Sequence, residues 1–239
     1  MKAFISGLYI QFRGDMRDKG VLMVYYLVPL VFYLVMGSIL KLPGLESEMT
    51  LITSITIFAM SMSAFLGMPQ TLVKARENGV LNAYRVAGIP AWSLPLSAII
   101  ISFVHIMIVA IVILFSAPYL FQAELPHSIL LHLFSMALVA IASEALGVLL
   151  ACFVKKQSSL TLVGQCLFLP TVMLSGIMFP ASLLPKPMQF VGEILPATQG
   201  MRLVSEGALQ FTPLIVLLSL IIVAFAVSVI LFKRISMRA

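Results

Sequence analysis

Residues 70–92 read QTLVKARENGVLNAYRVAGIPAW, and they stand between two apolar runs, Leu51–Pro69 and Leu94–Ala117. Each run has about the 20 residues a helix needs to cross ~30 Å of hydrocarbon. Inside the stretch Lys74, Arg76 and Arg85 outnumber the single acid, Glu77. Leu72, Val73, Val80, Leu81, Tyr84, Ala87 and Gly88 fall on one face of a helix. A polar, amphipathic insert between two spans predicts a membrane protein that offers a surface to something outside the bilayer.

Working outward, four more runs have spanning length: Val21–Leu40, interrupted only by Pro29, then Ile129–Val154, Leu160–Phe179 and Pro213–Phe232. A membrane helix tolerates the proline as a kink. The strand alternation that a barrel needs is sustained nowhere. The expected fold is therefore an all-α integral membrane protein, a single domain over residues 1–239 with six transmembrane helices. Composition agrees: 61% of residues are hydrophobic, 10% are charged and the mean hydropathy is +1.11, against about a quarter charged in soluble domains. The net charge of +6 is spread beside the spans instead of forming one basic domain, so orientation in the bilayer explains it better than a nucleic-acid partner, and none is expected.

With the N-terminus in the cytosol, the inside segments hold Lys2, Arg13, Arg17, Lys19, Lys74, Arg76, Arg85, Lys155, Lys156, Lys233, Arg234 and Arg238. That is 12 of the 15 basic residues, leaving Lys41, Lys186 and Arg202 outside. Both termini are thus expected inside, and residues 70–92 with them.

Residues 1–19 place Phe4, Ile5, Leu8, Tyr9, Phe12 and Met16 at helical spacing among charged residues, without the unbroken apolar core of a secretory signal. They predict an amphipathic helix lying in the headgroup region. Residues 181–212, between the fifth and sixth spans, carry several prolines and apolar residues at helical spacing but lack spanning length. Two short helices re-entering the outer leaflet would shelter that apolar content.

Residues for catalysis are missing. Asp15 and Asp18 are the only aspartates, no G-x-x-x-x-G-K-[ST] phosphate loop occurs, and no nucleophile–base set or metal-ligand spacing can be assembled. Cys152 and Cys166 read as small apolar side chains. Glu144, deep in the fourth span, is costly there and must face the bundle interior, either as a functional group or as a helix–helix hydrogen-bond acceptor. His105 in the third span is a weaker candidate of the same kind. Small-residue rows suited to close helix contact run through Ala59, Ser63 and Gly67 and through Ser143, Gly147 and Ala151. Met60, Met62, Met173 and Met178 could give adaptable walls to a cavity for apolar ligands.

The segment RENGVLNAYRVAGIP (76–90) resembles the coupling-helix region of ABC-2 type permeases, with its Glu, a Gly two residues later, a helical run and a Pro. LSGIMFPASLLPKP (174–187) and ILPATQGMRLVSEG (194–207) are similar to that family's fifth span and external re-entrant helices. The resemblance implies the membrane half of an ABC exporter of type V, ABCG-like fold. Arg76, Glu77, Gly79, Leu81, Tyr84, Arg85 and Pro90 would seat in a groove of a separate cytosolic ABC ATPase. Two ATPase copies would serve two permease halves, paired as homodimer or heterodimer within the cell membrane of a bacterium. The chain itself would bind no cofactor, with ATP and Mg held by the partner.

The expected cargo is a hydrophobic or amphipathic drug, antibiotic or lipid, with a lipid-linked polysaccharide as the alternative. Two other classes compete. A proton-coupled secondary transporter would use Glu144 and His105, and a non-transporting assembly subunit would need neither cavity nor ATPase contact.

Overall fold

The computed structural model describes residues 2–40, 51–90, 92–178, 180–205 and 210–238. All regular structure among them is helical. The N-terminal helix α1 (Lys2–Asp15) precedes α2 (Lys19–Leu22), a π turn at Met23–Leu27 and α3 (Val28–Leu40), which together make the first span. The second joins α4 (Leu51–Met62), a second π turn (Ser63–Gly67) and α5 (Met68–Glu77). After the short α6 (Val80–Val86) come α7 (Ser93–Phe121), α8 (Ile129–Phe153) and α9 (Gln157–Leu174). A 3-10 turn (Ala181–Leu183), α10 (Lys186–Gly192) and α11 (Pro196–Ser205) lead to α12 (Phe211–Arg238). Six of these helical stretches are long and apolar enough to cross a membrane: Lys19–Ile39, Leu51–Glu77, Ser93–Phe121, Ile129–Phe153, Gln157–Leu174 and Phe211–Phe232.

The second span is the axis of the bundle. Of its apolar window 89% is buried, against 17% for the sixth span. It packs against the first, third, fourth and fifth spans and against α11. Ile57, Met60, Met136, Val139 and Ala140 form the central core, and Met68, Leu72, Val73, Leu94, Val148 and Leu160 a second cluster toward the α5 end. Met60 and Met62 are closed inside the core while Met173 and Met178 lie exposed, so the four methionines do not share one cavity wall.

Proline explains both π turns. Each ends two residues before a proline, Pro29 in the first span and Pro69 in the second. A proline inside a helix has no N–H to give to the carbonyl four residues back, and its ring crowds that carbonyl. One extra residue per turn relieves the crowding. The ladder then runs one residue further, from the Val28 N–H to the Met23 carbonyl and from the Met68 N–H to the Ser63 carbonyl.

Residues 70–92 do not form the single helical face expected of them. Helix α5 carries the second span on to Glu77, and its Leu72 and Val73 are buried in the bundle. Gly79, at φ +71°, breaks the chain before α6, a conformation that costs glycine little. Gly88, at φ +67°, ends α6, with the Ile89 N–H donating to the Tyr84 carbonyl in a Schellman closure.

Candidate functional site

Two places gather the polar residues of the bundle. The first is the connection between the second and third spans. Arg76, near the end of α5, donates from Nη2 to the Val154 carbonyl, and the neighbouring Glu77 accepts the Gln157 N–H at 3.2 Å. The Val154 carbonyl lies past the end of α8, where no N–H of that helix can reach it, and Gln157 opens α9 with an N–H equally unserved. Arg76 and Glu77 thus clamp the turn between the fourth and fifth spans. Two residues on, Gly79 lets the chain change direction into α6. Tyr84 turns its ring toward the cluster holding Phe65, Leu72 and Leu160. The opposite face is bare: Val86 is 91% exposed, and Ile89 and Trp92 are exposed beside it. Pro90 is exposed, and its carbonyl accepts both the Ser93 N–H and the Ser93 hydroxyl, which starts α7. The side chains of Leu81 and Arg85 lie outside the described residues.

The second place is inside the bundle. The Ser63 hydroxyl donates to Oε1 of Glu144 at 2.6 Å, and the Ser102 hydroxyl donates to the same oxygen at 2.7 Å. Tyr25 in turn donates to Ser102 Oγ at 3.0 Å. Each hydroxyl has one proton to give. With both serine protons on Glu144, the 2.9 Å contact between Ser63 and Ser102 is held by their shared acceptor. All four residues are buried, and Oε2 of Glu144 has no hydrogen-bond partner among the described residues. One carboxyl oxygen therefore ties together the first, second, third and fourth spans. Gly67 makes room for the arrangement, because a Cβ there would lie 3.0 Å from the Tyr25 ring.

His105 sits one turn along α7 from Ser102. Its Nδ1 is 2.7 Å from the Tyr26 hydroxyl, and its ring stacks on Phe12 of α1 at 4.8 Å and 15°. Nε2 points toward Asp15 at 3.9 Å. The N-terminal helix is thus docked against the third span by an aromatic stack, with the Asp15 carboxyl close to the ring. Burial, helped by nearby Asp18 and opposed by Lys74, pushes the Asp15 carboxyl up to about 6. Asp18 behaves oppositely. The Gly20 N–H and the Lys74 ammonium at 3.2 Å hold it below the usual carboxylate range.

The small-residue rows meet at the second π turn. A Cβ on Gly147 would collide with the Ala64 carbonyl, and one on Gly164 of α9 with the Phe65 carbonyl. Ala59 packs instead with Val109 and Ile113 of the third span, and the buried Ser143 hydroxyl has no hydrogen-bond partner among the described residues. Among the described residues no group of three or more His, Cys, Asp or Glu could hold a metal ion.

Sequence reasoning had singled out Glu144, Ser63, His105 and Gly147 but not Tyr25, Ser102, Gly164 or the α8–α9 turn that Arg76 and Glu77 hold. Pro29, four residues after Tyr25, is the available signal for that residue, and the others carry none in the sequence. No curated protein matches the chain in sequence. The family described as ABC-2 type transporter matches residues 3–209, from the N-terminal helix through five spans to the edge of the sixth, and the chain belongs to that family.

Proposed function

We propose that the chain is the membrane-spanning half of an ATP-driven exporter that moves a hydrophobic or amphipathic drug, antibiotic or lipid out of the cell. Family membership makes it the permease component of an ABC transporter. ATP and Mg then belong to a separate cytosolic ATPase, two copies per assembly, and a second permease half, identical or related, completes the pathway. The basic residues favour both termini inside, which puts α6 in the cytosol and α1 at the inner interface. The contact of Gly200 with Ile57 and Val139, well inside the second and fourth spans, favours re-entry of α11 from the outer face.

The observation that carries this reading is α6. It is set off by two positive-φ glycines, and Val86 at its end, with Ile89 and Trp92 in the connection to α7, is left exposed. Tryptophan is among the residues that most often anchor a partner pocket, and exposed apolar neighbours help exclude water around it. Beside it, an apolar cleft of about 350 Å³ between Trp92, Ile99, Val148, Phe225, Ser228 and Phe232 gives a hydrophobic guest a place near the same end.

Co-purification of the tagged full chain with each ABC ATPase of its own genome tests the proposal. One ATPase should associate, and Val86→Asp should weaken the complex about tenfold or more while the permease stays folded. Failure of every ATPase to bind, or unchanged binding by the Val86→Asp chain, rejects it.

A further inference from the structure

Both π turns of the bundle open onto one carboxyl group. The first brings Tyr25 to Ser102, the second brings Ser63 to Glu144, and the chain of hydroxyls closes on Glu144 Oε1. On the two sides of the second π turn the helix has different surroundings. From Leu51 to Met62 every residue of α4 is buried, so that half is fixed by packing on all sides. From Met68 to Glu77 the helix is an unbroken rod of 10 residues that ends on the α8–α9 turn and α6. The turn between them is lined by Gly147 and Gly164, which present no side chain to the Ala64 and Phe65 carbonyls.

A π turn holds one residue more than an α turn. Pro69 pins this one in place, and a π turn beside a proline is where a helix bends most readily. Any displacement of α6 is carried by the α5 rod to this turn. There α5 can reorient against the glycines while α4 stays in place. At the turn itself the described arrangement is held by the Ser63 hydroxyl on Glu144, and at the far end of α5 by the bonds of Arg76 and Glu77 to the α8–α9 turn.

We propose that the π turn at Ser63–Gly67 is the hinge on which α5 moves against the fixed outer half of the second span, with Glu144 as the positioning residue that latches it through Ser63. The inference rests on the permease reading for the source of the motion, but the hinge and latch belong to this chain alone.

Spin labels at Asn78, beyond α5, and Glu124, beyond the far end of α7, report the motion by pulsed EPR in the full chain with Cys152 and Cys166 replaced by serine. Both labelled positions are exposed. In the chain alone, Glu144→Gln keeps an acceptor oxygen in place and should give the parent distance distribution. Glu144→Leu and the milder Ser63→Ala remove the latch and should broaden it. With the ATPase bound, ATP and vanadate should shift the parent distribution, and the Glu144→Leu chain should lose that shift. A Glu144→Leu distribution as narrow as the parent's overturns the latch, as does equal broadening by Gln and Leu, which would mark a role for the charge. Broadening in the chain alone, with no ATPase found to bind, would leave the hinge standing and reject the permease reading instead.

Discussion

Gly147 of the fourth span faces the Ala64 carbonyl of the second so closely that a Cβ on it would collide with that oxygen. Gly164 of the fifth span stands in the same relation to Phe65 from another side. The obstacle in both cases is backbone of the π turn in the second span, which yields only if the whole turn moves and not by the swing of one side chain. Gly147→Ala and Gly164→Ala should each cost about 3 kcal/mol, the upper end for overpacking. The measurement is thermal unfolding in detergent followed by fluorescence-detected size exclusion. An unshifted midpoint for either variant would show that the helices separate at little cost.

Arg76 and Glu77 serve the ends of two helices before they serve any partner. Arg76→Ala should destabilise the isolated permease by about 1–2 kcal/mol, less than a fully buried charged hydrogen bond because the side chain is half-exposed. Glu77→Ala should cost only about 0.5 kcal/mol, being exposed to water. Glu77→Gln keeps an acceptor for the Gln157 N–H and should be silent in the permease alone. If Arg76→Ala leaves the unfolding midpoint unchanged and lowers only ATPase binding, the clamp on the α8–α9 turn has no energetic weight.

The spans were legible because hydrocarbon thickness imposes a run length that no soluble helix needs to meet. Their ends were less so: α5 extends to Glu77, past the Pro69 at which the apolar run stops, since Leu72 and Val73 go on packing inside the bundle. Glu144 was legible as a residue that had to find partners, because an acid in an apolar run cannot be left bare. Which partners it found was not, since no single span's periodicity says which spans are neighbours; Ser63 and Ser102 meet it directly and Tyr25 only through Ser102. A periodicity of 3.6 residues read across either π turn places the following side chains on the wrong face.

Docking of α1 should depend on pH through Asp15. Its carboxyl sits at about 6 when docked, against about 3.9 for an undocked aspartate. The docked form therefore binds the proton more tightly, and the contribution is fully present below pH 4 and lost as pH rises through 6. Asp18 has the opposite sign. Its carboxylate is favoured in the docked form, so its contribution is lost as pH falls through its lowered value. A spin label at the exposed Tyr9 should gain mobility between about pH 4 and pH 6, the interval between the undocked and the docked Asp15 values. In an Asp15→Asn background the mobility should be flat over that range. A parent chain with no pH response removes Asp15 from the docking contact.

His105 separates a structural hydrogen bond from a proton-coupled one. Its Nδ1 meets the Tyr26 hydroxyl and its ring stacks on Phe12. His105→Phe preserves the stack but strands the Tyr26 hydroxyl, and Tyr26→Phe strands Nδ1. Leaving one partner of a sheltered pair unsatisfied costs more than removing both. Each single variant should therefore lose about 1 kcal/mol, and the Tyr26→Phe/His105→Phe double variant should recover most of it. The cycle is read from unfolding midpoints in detergent. Additive losses would show that the two residues do not interact. A stable His105→Phe chain that still binds its ATPase, yet no longer sets a proton-dependent flux in vesicles where the parent does, would move the protein to the proton-coupled class.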